Sequence, residues 1–88
     1  MHADLLHQRL TEAIAEQRRI VLLLRGAHRV EARDSRIVAA ALDGDEARFD
    51  IEGVIALDGG PETQGVVSVT SKDVASLFVG TANKGEAS

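Results

Sequence analysis

The chain has 88 residues, of which 44% are hydrophobic and 27% charged, and its net charge is −4 at pH 7. This length fits one small domain, and this composition is typical of a soluble globular protein and not of a disordered chain. The absence of cysteine excludes disulfide frameworks, cysteine-ligated zinc and thiol nucleophiles. Because no apolar run is long enough to span a bilayer and no export signal is recognisable, we expect a cytoplasmic protein that does not bind membranes.

Aromatic residues are scarce: Phe49 and Phe78 are the only two, and the sequence contains no Trp or Tyr. Proteins that bind single-stranded nucleic acid usually stack its bases on aromatic side chains, and this chain has little material for such a platform. Its core must be built mainly from Leu, Ile, Val and Ala. A core of this size stabilises a short chain only modestly, so the composition favours an oligomer that buries further surface.

The first segment has the periodicity of an amphipathic helix, which we predict over residues 3–18. Its apolar stripe recurs at helical spacing and consists of Leu6, Leu10, Ala13, Ile14 and Gln17. Asp4 near the start complements the positive end of the helix dipole.

From residue 19 onward the pattern is that of strands. The apolar run Ile20 to Leu24 predicts a strand covered on both faces, and His28 to Arg33 alternates as a half-exposed strand does. A third apolar run, residues 37–42, is followed by Asp43-Gly44, a hairpin turn signal. Alternation then resumes with the inward positions Ala47, Phe49 and Ile51.

The last third contains the apolar stretches Val66 to Val69 and Val74 to Val79, separated by a polar break in which Ser71 suits the N-cap of a short helical turn. We therefore predict a mainly β protein with an N-terminal α-helix, folded as a small β-barrel of about five or more short antiparallel strands. The predicted domain comprises residues 1–80, and residues 81–88 are expected to form a flexible tail.

This order of elements resembles the Sm-like (Lsm) family, whose barrel is related to the SH3-like barrels. The family has an N-terminal helix, a strand that ends in a basic-Gly turn (here Arg25-Gly26), a longer bent strand pair, and finally a strand, a tight turn and a short last strand. Its closing motif typically reads Ile-Arg-Gly followed by aliphatic residues. Ile51-Glu52-Gly53 followed by Val54 to Leu57 takes that place here, so the resemblance covers about residues 4–57. An alternative register gives the closing role to residues 66–79 and makes residues 43–60 an inserted hairpin.

The resemblance also implies where a ligand would bind. In the family, RNA contacts the basic residue of the closing motif and a short Asp-containing stretch near the middle of the domain. Glu52 replaces that basic residue beside Gly53, and Asp34 is the candidate for the middle position, with no Asn after it at the usual place. Bacterial Rho-binding antitermination inhibitors are similar in layout: they are acidic, Sm-like in fold, and bind a protein instead of RNA. The departure at Glu52 therefore favours a protein partner over RNA.

Charge is unevenly distributed along the chain. Residues 1–42 have a balance of +2 and residues 43–88 a balance of −6. Arg25, Arg29 and Arg33 are the candidate binding residues of the basic half, with Arg36 nearby. Three interpretations remain open for them: cross-strand pairing with the acidic residues of 43–58, pairing with another subunit, and contact with RNA phosphates.

No pattern for catalysis or for a bound metal is found. The three histidines do not have metal-ligand spacing, Asp43 to Glu46 lacks the spacing of a calcium loop, and neither a nucleophile elbow nor a phosphate-binding Gly-rich loop is present. We therefore predict no catalytic residues, no metal and no cofactor. The expected function is that of a non-enzymatic, self-associating binding module of the Sm-like type; the alternatives are an RNA-binding Lsm-type ring and a small enzyme or enzyme subunit.

Overall fold

The computed structural model describes residues 2–82. One helix, α1 (Ala3–Ala15), precedes five strands: β1 (Arg18–Leu24), β2 (His28–Asp43), β3 (Glu46–Leu57), β4 (Thr63–Thr70) and β5 (Val74–Ala82). The strands form one antiparallel sheet in the order β4-β3-β2-β1-β5. The predicted mainly β architecture with an N-terminal helix is thereby confirmed. This pairing does not close the sheet, because β4 and β5 are its two edges, so the barrel stays a prediction.

The helix is shorter than the predicted range 3–18. It ends at Ala15, and the backbone reverses through Gln17, whose φ of 57° lies in the left-handed region. Strand β1 begins at Arg18, one residue earlier than predicted. The periodicity was misleading here because Gln17 lies at a helical spacing from Leu6 and Leu10 without being part of the helix.

The core lies between α1 and the inward face of the sheet. The helix contributes Ala3, Leu6, Leu10 and Ala13, all buried, and β1 contributes Ile20 and Leu22. On β3 the residues Ala47, Phe49 and Ile51 are buried while the residues between them are not. The period-two prediction for this strand is therefore confirmed, as is the Asp43-Gly44 turn, in which Gly44 has a φ of 62°.

Strands β4 and β5 complete the sheet. Strand β4 pairs with β3 and β5 pairs with β1, so residues 63–82 form the final strand, turn and strand. The first register is wrong, since Ile51-Glu52-Gly53 lies within β3, which is not one of the last strands. The alternative register correctly gave the closing role to residues 66–79, but it was wrong to make residues 43–60 an inserted hairpin, because they include the central strand β3. Strand β5 also continues two residues into the predicted tail; the rest of that tail, 83–88, lies outside the described residues.

The turn between β4 and β5 is fixed to the start of β3. Ser71 is buried, and its hydroxyl accepts a hydrogen bond of 2.9 Å from the backbone N–H of Ala47. The Ser71 N–H in turn donates to the Ala47 carbonyl at 2.8 Å. Ser71 therefore joins two strand ends, and residues 71–73 form a turn instead of the predicted short helical turn.

Candidate functional site

A cleft of about 300 Å³ lies where the end of α1 meets the middle of β2 and β3. Its wall includes three of the six predicted site residues, Asp34, Glu52 and Gly53. The remaining lining residues come from both ends of the α1–β1 turn and from the neighbouring strands: Ile14, Gln17, Arg18, Ser35, Arg36 and Gln64. The structure thus brings together, in one polar cleft, residues that lie far apart in sequence.

The cleft exists because β2 bends at this point. The pairing of β2 with β3 is shifted between Arg33 and Arg36, and Asp34 within that bulge has a φ of 49°. The bulge brings Ser35 over Gly53: a Cβ atom built on Gly53 would lie only 2.8 Å from the Ser35 Cα. Two non-glycine residues with left-handed backbone, Gln17 and Asp34, therefore line the same cleft, and such local strain is often found at functional sites.

The charged groups of the cleft are largely paired within the protein. Arg36 Nε lies 2.8 Å from Glu52 Oε1, across the two strands. Arg18 forms an ion pair with Glu16 and donates from Nη1 to the Gly80 carbonyl at 3.2 Å. Asp34 receives a hydrogen bond of 2.9 Å from Arg33 Nη1. Glu52 therefore acts as the cross-strand partner of an arginine.

The three predicted arginines are divided between different places. Arg29 and Arg33 lie on the outward face of β2, as predicted, with Glu31 between them and 3.6 Å from Arg29. Arg33 is held by Glu62, with Nε to Oε2 at 2.9 Å and Nη2 to Oε1 at 3.3 Å. Arg25 lies in the β1–β2 turn, where its N–H donates to the Asp73 carbonyl at 2.8 Å. The six predicted residues consequently do not form a single site.

Cross-strand pairing explains part of the arginine cluster. Arg36 pairs across the strands with Glu52, which belongs to the predicted acidic segment 43–58. Arg29 contacts Asp58 of that segment through its backbone N–H, whereas its guanidinium lies 3.6 Å from Glu31 on the same strand. Glu62, the partner of Arg33, lies outside that segment. It could not be identified from the strand pattern, because the β3–β4 connection that carries it has no periodicity to fix its position.

Two carboxylates outside the cleft have a pKa below the ordinary value. The pKa of Asp58 is lowered chiefly by the hydrogen bond of 2.8 Å from the Arg29 N–H, and further by the His28 ring at 3.3 Å. The pKa of Glu62 is lowered by the Arg33 guanidinium, whose own pKa is raised by the same contact. Both ionised carboxylates therefore stabilise the folded state.

These shifts predict a loss of stability in acid. The stabilisation is complete above the ordinary pKa values of 3.8 and 4.5 and is lost as the pH falls through the lower pKa values of the folded state. We expect the urea midpoint to fall between pH 6 and pH 3, and to fall less in Asp58→Asn and Glu62→Gln than in the wild type. Equal losses in the variants and the wild type would contradict this assignment.

A second, more apolar depression was not found by the sequence analysis. It measures about 220 Å³ and lies between the first turns of α1 and the far end of the β2–β3 hairpin. The His7 ring stacks on Phe49 with centroids 5.7 Å apart and planes at 9°. Its other lining residues are Ala3, Asp4, Ala40, Ala41, Leu42 and Ala47. The uncharged run 37–42 is the sequence signal for this depression, but the same run is equally typical of an ordinary strand.

The structure of residues 2–82 contains neither a candidate metal site nor a helix that could span a membrane. Among residues 2–82 no three His, Asp or Glu side chains converge to hold a metal ion, and the described helix is too short and too polar to cross a membrane. Comparisons with protein-family models, with curated proteins and with solved structures found no match to the chain.

Proposed function

We propose that this protein is a non-enzymatic, Sm-like module that self-associates through the two edges of its sheet and binds a protein partner. The observation that carries the proposal is the chemistry of the edge strands. Strand β4 (Thr63–Thr70) and strand β5 (Val74–Ala82) contain no charged residue, although 27% of the chain is charged. In residues 2–82 no other strand pairs with the second side of either one.

Uncharged edges favour association because the outer side of each strand pairs with no other strand among residues 2–82. Natural monomers usually protect such edges with Lys, Pro or bulges. Strand β5 has irregular pairing only near its two ends, so Ser76 to Val79 is regular, and β4 pairs with β3 without irregularity. Each strand also exposes one large apolar side chain on its outward face: Val66 is 58% exposed and Phe78 is 56% exposed. Pairing of two edges would place side chains of the added strand beside Val66 and Phe78 and reduce the exposure of both to water.

The two edges suit each other in length, with eight residues in β4 and nine in β5. Pairing of β4 of one copy with β5 of the next is a heterologous contact, which generates a ring when the rotation closes. The layout of the chain supports the Sm-like part of the proposal: a helix, a strand that ends at Arg25-Gly26, a long bent strand pair, and a last strand pair joined by a tight turn.

The test uses one charged substitution on each edge. Val66→Lys and Phe78→Lys place an ammonium group on an exposed edge position without touching the core, so each variant is expected to fold. Light scattering at micromolar concentration should give a mass above 9.4 kDa for the wild type and the monomer mass for each variant. Leu5→Lys, on the exposed face of α1, is the matched control and should leave the assembly intact.

Mixing the two variants identifies which edges meet. Val66→Lys retains an intact β5 and Phe78→Lys an intact β4, so a heterologous contact predicts that the mixture forms a 1:1 dimer and nothing larger. If β4 pairs with itself, Phe78→Lys alone remains a dimer. A wild-type protein that stays monomeric would overturn the proposal.

RNA binding is expected to be weak. Four of the arginines on the sheet, at positions 29, 33, 36 and 48, have a carboxylate within 3.9 Å, so contact with phosphate would compete with an existing ion pair. Phe49 is buried and cannot stack on a base, which leaves Phe78 as the one exposed phenylalanine for such a contact among residues 2–82. A fluorescence titration with a labelled oligouridine should show only salt-sensitive binding. Tight, sequence-selective binding at physiological salt would favour the RNA-binding alternative.

A further inference from the structure

The far half of β2 is a third open edge. Strand β1 pairs with β2 only from His28 to Ala32, and beyond the bulge β2 pairs on one side, with β3. The segment 37–42, which we call the β2 edge, contains no charged residue, and Val38 to Leu42 are all exposed. Leu42 is 71% exposed, the highest value among the large apolar residues of the described chain. Its backbone is therefore available to an additional strand.

The apolar depression lies directly beside this edge. Ala40 and Leu42 of the β2 edge lie opposite Phe49 and Ala47 of β3 in the antiparallel pairing, so they share the inward face, on the side of α1. The same four residues line the depression of about 220 Å³ together with His7. An added strand would thus have a pocket beside it for one of its inward-facing side chains.

Acidic residues lie on both faces of the sheet beside this pocket, and we call them the acidic rim. Asp4 lines the pocket itself, whereas Asp43 and Glu46, on either side of the hairpin turn, lie on the opposite face, where they line a separate depression with Arg48. In an extended segment the residue next to the one in the pocket would point toward that opposite face. Lys72 lies 3.7 Å from Glu46, and it is the cation paired with this turn among the described contacts. The negative charge that remains favours a ligand with a basic residue near its apolar one.

We propose that the β2 edge binds an extended peptide segment of a partner protein, with an aliphatic side chain in the pocket at His7 and Phe49 and a Lys or Arg beside the acidic rim. Backbone pairing supplies affinity and the pocket supplies selectivity, which is the mode of β-strand addition. This site is separate from β4 and β5 and specifies the protein partner that the proposed function invokes.

A second copy of this chain does not meet that description. Its open edges are β4, β5 and the β2 edge, and none of these contains Lys or Arg. Strand β1, which begins with Arg18-Arg19, is paired on both sides within its own sheet. Within residues 2–82 the structure therefore contains no basic open strand that a second copy could place beside the acidic rim.

The test starts with a random dodecapeptide phage library selected against the full-length protein. We expect the selected peptides to share an aliphatic residue next to Lys or Arg. Their affinity is then measured, as synthetic fluorescent peptides, for Ala40→Leu and Ala39→Leu. Leucine at 40 fills the pocket from the inward face, whereas leucine at 39 lies on the opposite face, across from Asp50.

Ala40→Leu should weaken binding at least about tenfold and Ala39→Leu by less than about twofold, with unchanged melting curves for both. Asp43→Lys should weaken binding and reduce its salt dependence. Hydrogen exchange of the amides of 38–42 should slow when peptide binds. The same measurements on Val66→Lys should give unchanged affinity, which separates this site from self-association.

Three results would overturn the inference. The first is a selection that enriches no shared sequence. The second is equal binding to Ala40→Leu and Ala39→Leu. The third is a loss of assembly mass in Ala40→Leu, which would show that a second copy occupies the β2 edge.

Discussion

Phe49→Ala is expected to destabilise the protein by about 3–5 kcal/mol, the usual cost of deleting a buried phenylalanine. Phe49 is 2% exposed, lies in the first half of β3, and is the only phenylalanine in the core of the described residues. The deletion would also remove the surface on which His7 stacks, and with it a contact between α1 and the sheet. Because small domains have only about 5–15 kcal/mol of stability in total, the variant should unfold at moderate temperature.

The second phenylalanine of the chain provides a matched control. Phe78 is 56% exposed, so Phe78→Ala should change the free energy of unfolding by about 0.5 kcal/mol or less. Both variants are made in the Val66→Lys background, so that association contributes to neither measurement. Asp50→Ala, on the opposite face of β3, is a second control; it loses the 2.6 Å hydrogen bond from the Ser68 hydroxyl, worth about 1 kcal/mol. Equal melting midpoints for Phe49→Ala and Phe78→Ala would show that the assigned faces of β3 are wrong.

The inward and outward faces of β3 could be predicted because they depend on local alternation alone. Ala47, Phe49 and Ile51 are buried on one face as the period of two requires, and the Asp43-Gly44 turn fixes where the strand begins. The end of α1 could not be predicted in the same way. Gln17 continues the helical spacing, and only its left-handed backbone shows that the chain has turned.

The candidate site was predictable only in part because it depends on contacts between distant segments. Asp34, Glu52 and Gly53 were identified singly from the family resemblance, and their meeting in one cleft results from a bulge that no sequence pattern marks. Glu52 is the clearest example of this dependence on distant contacts. It was expected in a closing motif that faces a ligand, whereas it lies in β3 and pairs with Arg36. The ion pair between Glu52 and Arg36 on the neighbouring strand is enough to explain an acidic residue at this position.

Gly53→Ala is the second substitution expected to have a large effect, because the cleft depends on a close approach that only glycine permits. A Cβ atom at position 53 would lie 2.8 Å from the Ser35 Cα and 2.9 Å from the Arg33 carbonyl oxygen, both backbone atoms. These atoms cannot rotate away as a side-chain tip would, so β2 would have to shift as a whole. Overpacking of this kind costs about 1–3 kcal/mol, and the upper end is expected here.

The matched control is the residue directly opposite on the neighbouring strand. Gly65 pairs with Gly53 across β3 and β4, and a Cβ atom built on it has nothing within 4 Å. Gly65→Ala should therefore be neutral, or stabilise the protein by up to about 1 kcal/mol because it restricts the unfolded chain. Thermal melts of the two variants decide the question. Equal melting midpoints for Gly53→Ala and Gly65→Ala would show that Ser35 of β2 does not lie this close to Gly53 of β3. The bulge in β2 would then not be the cause of the cleft.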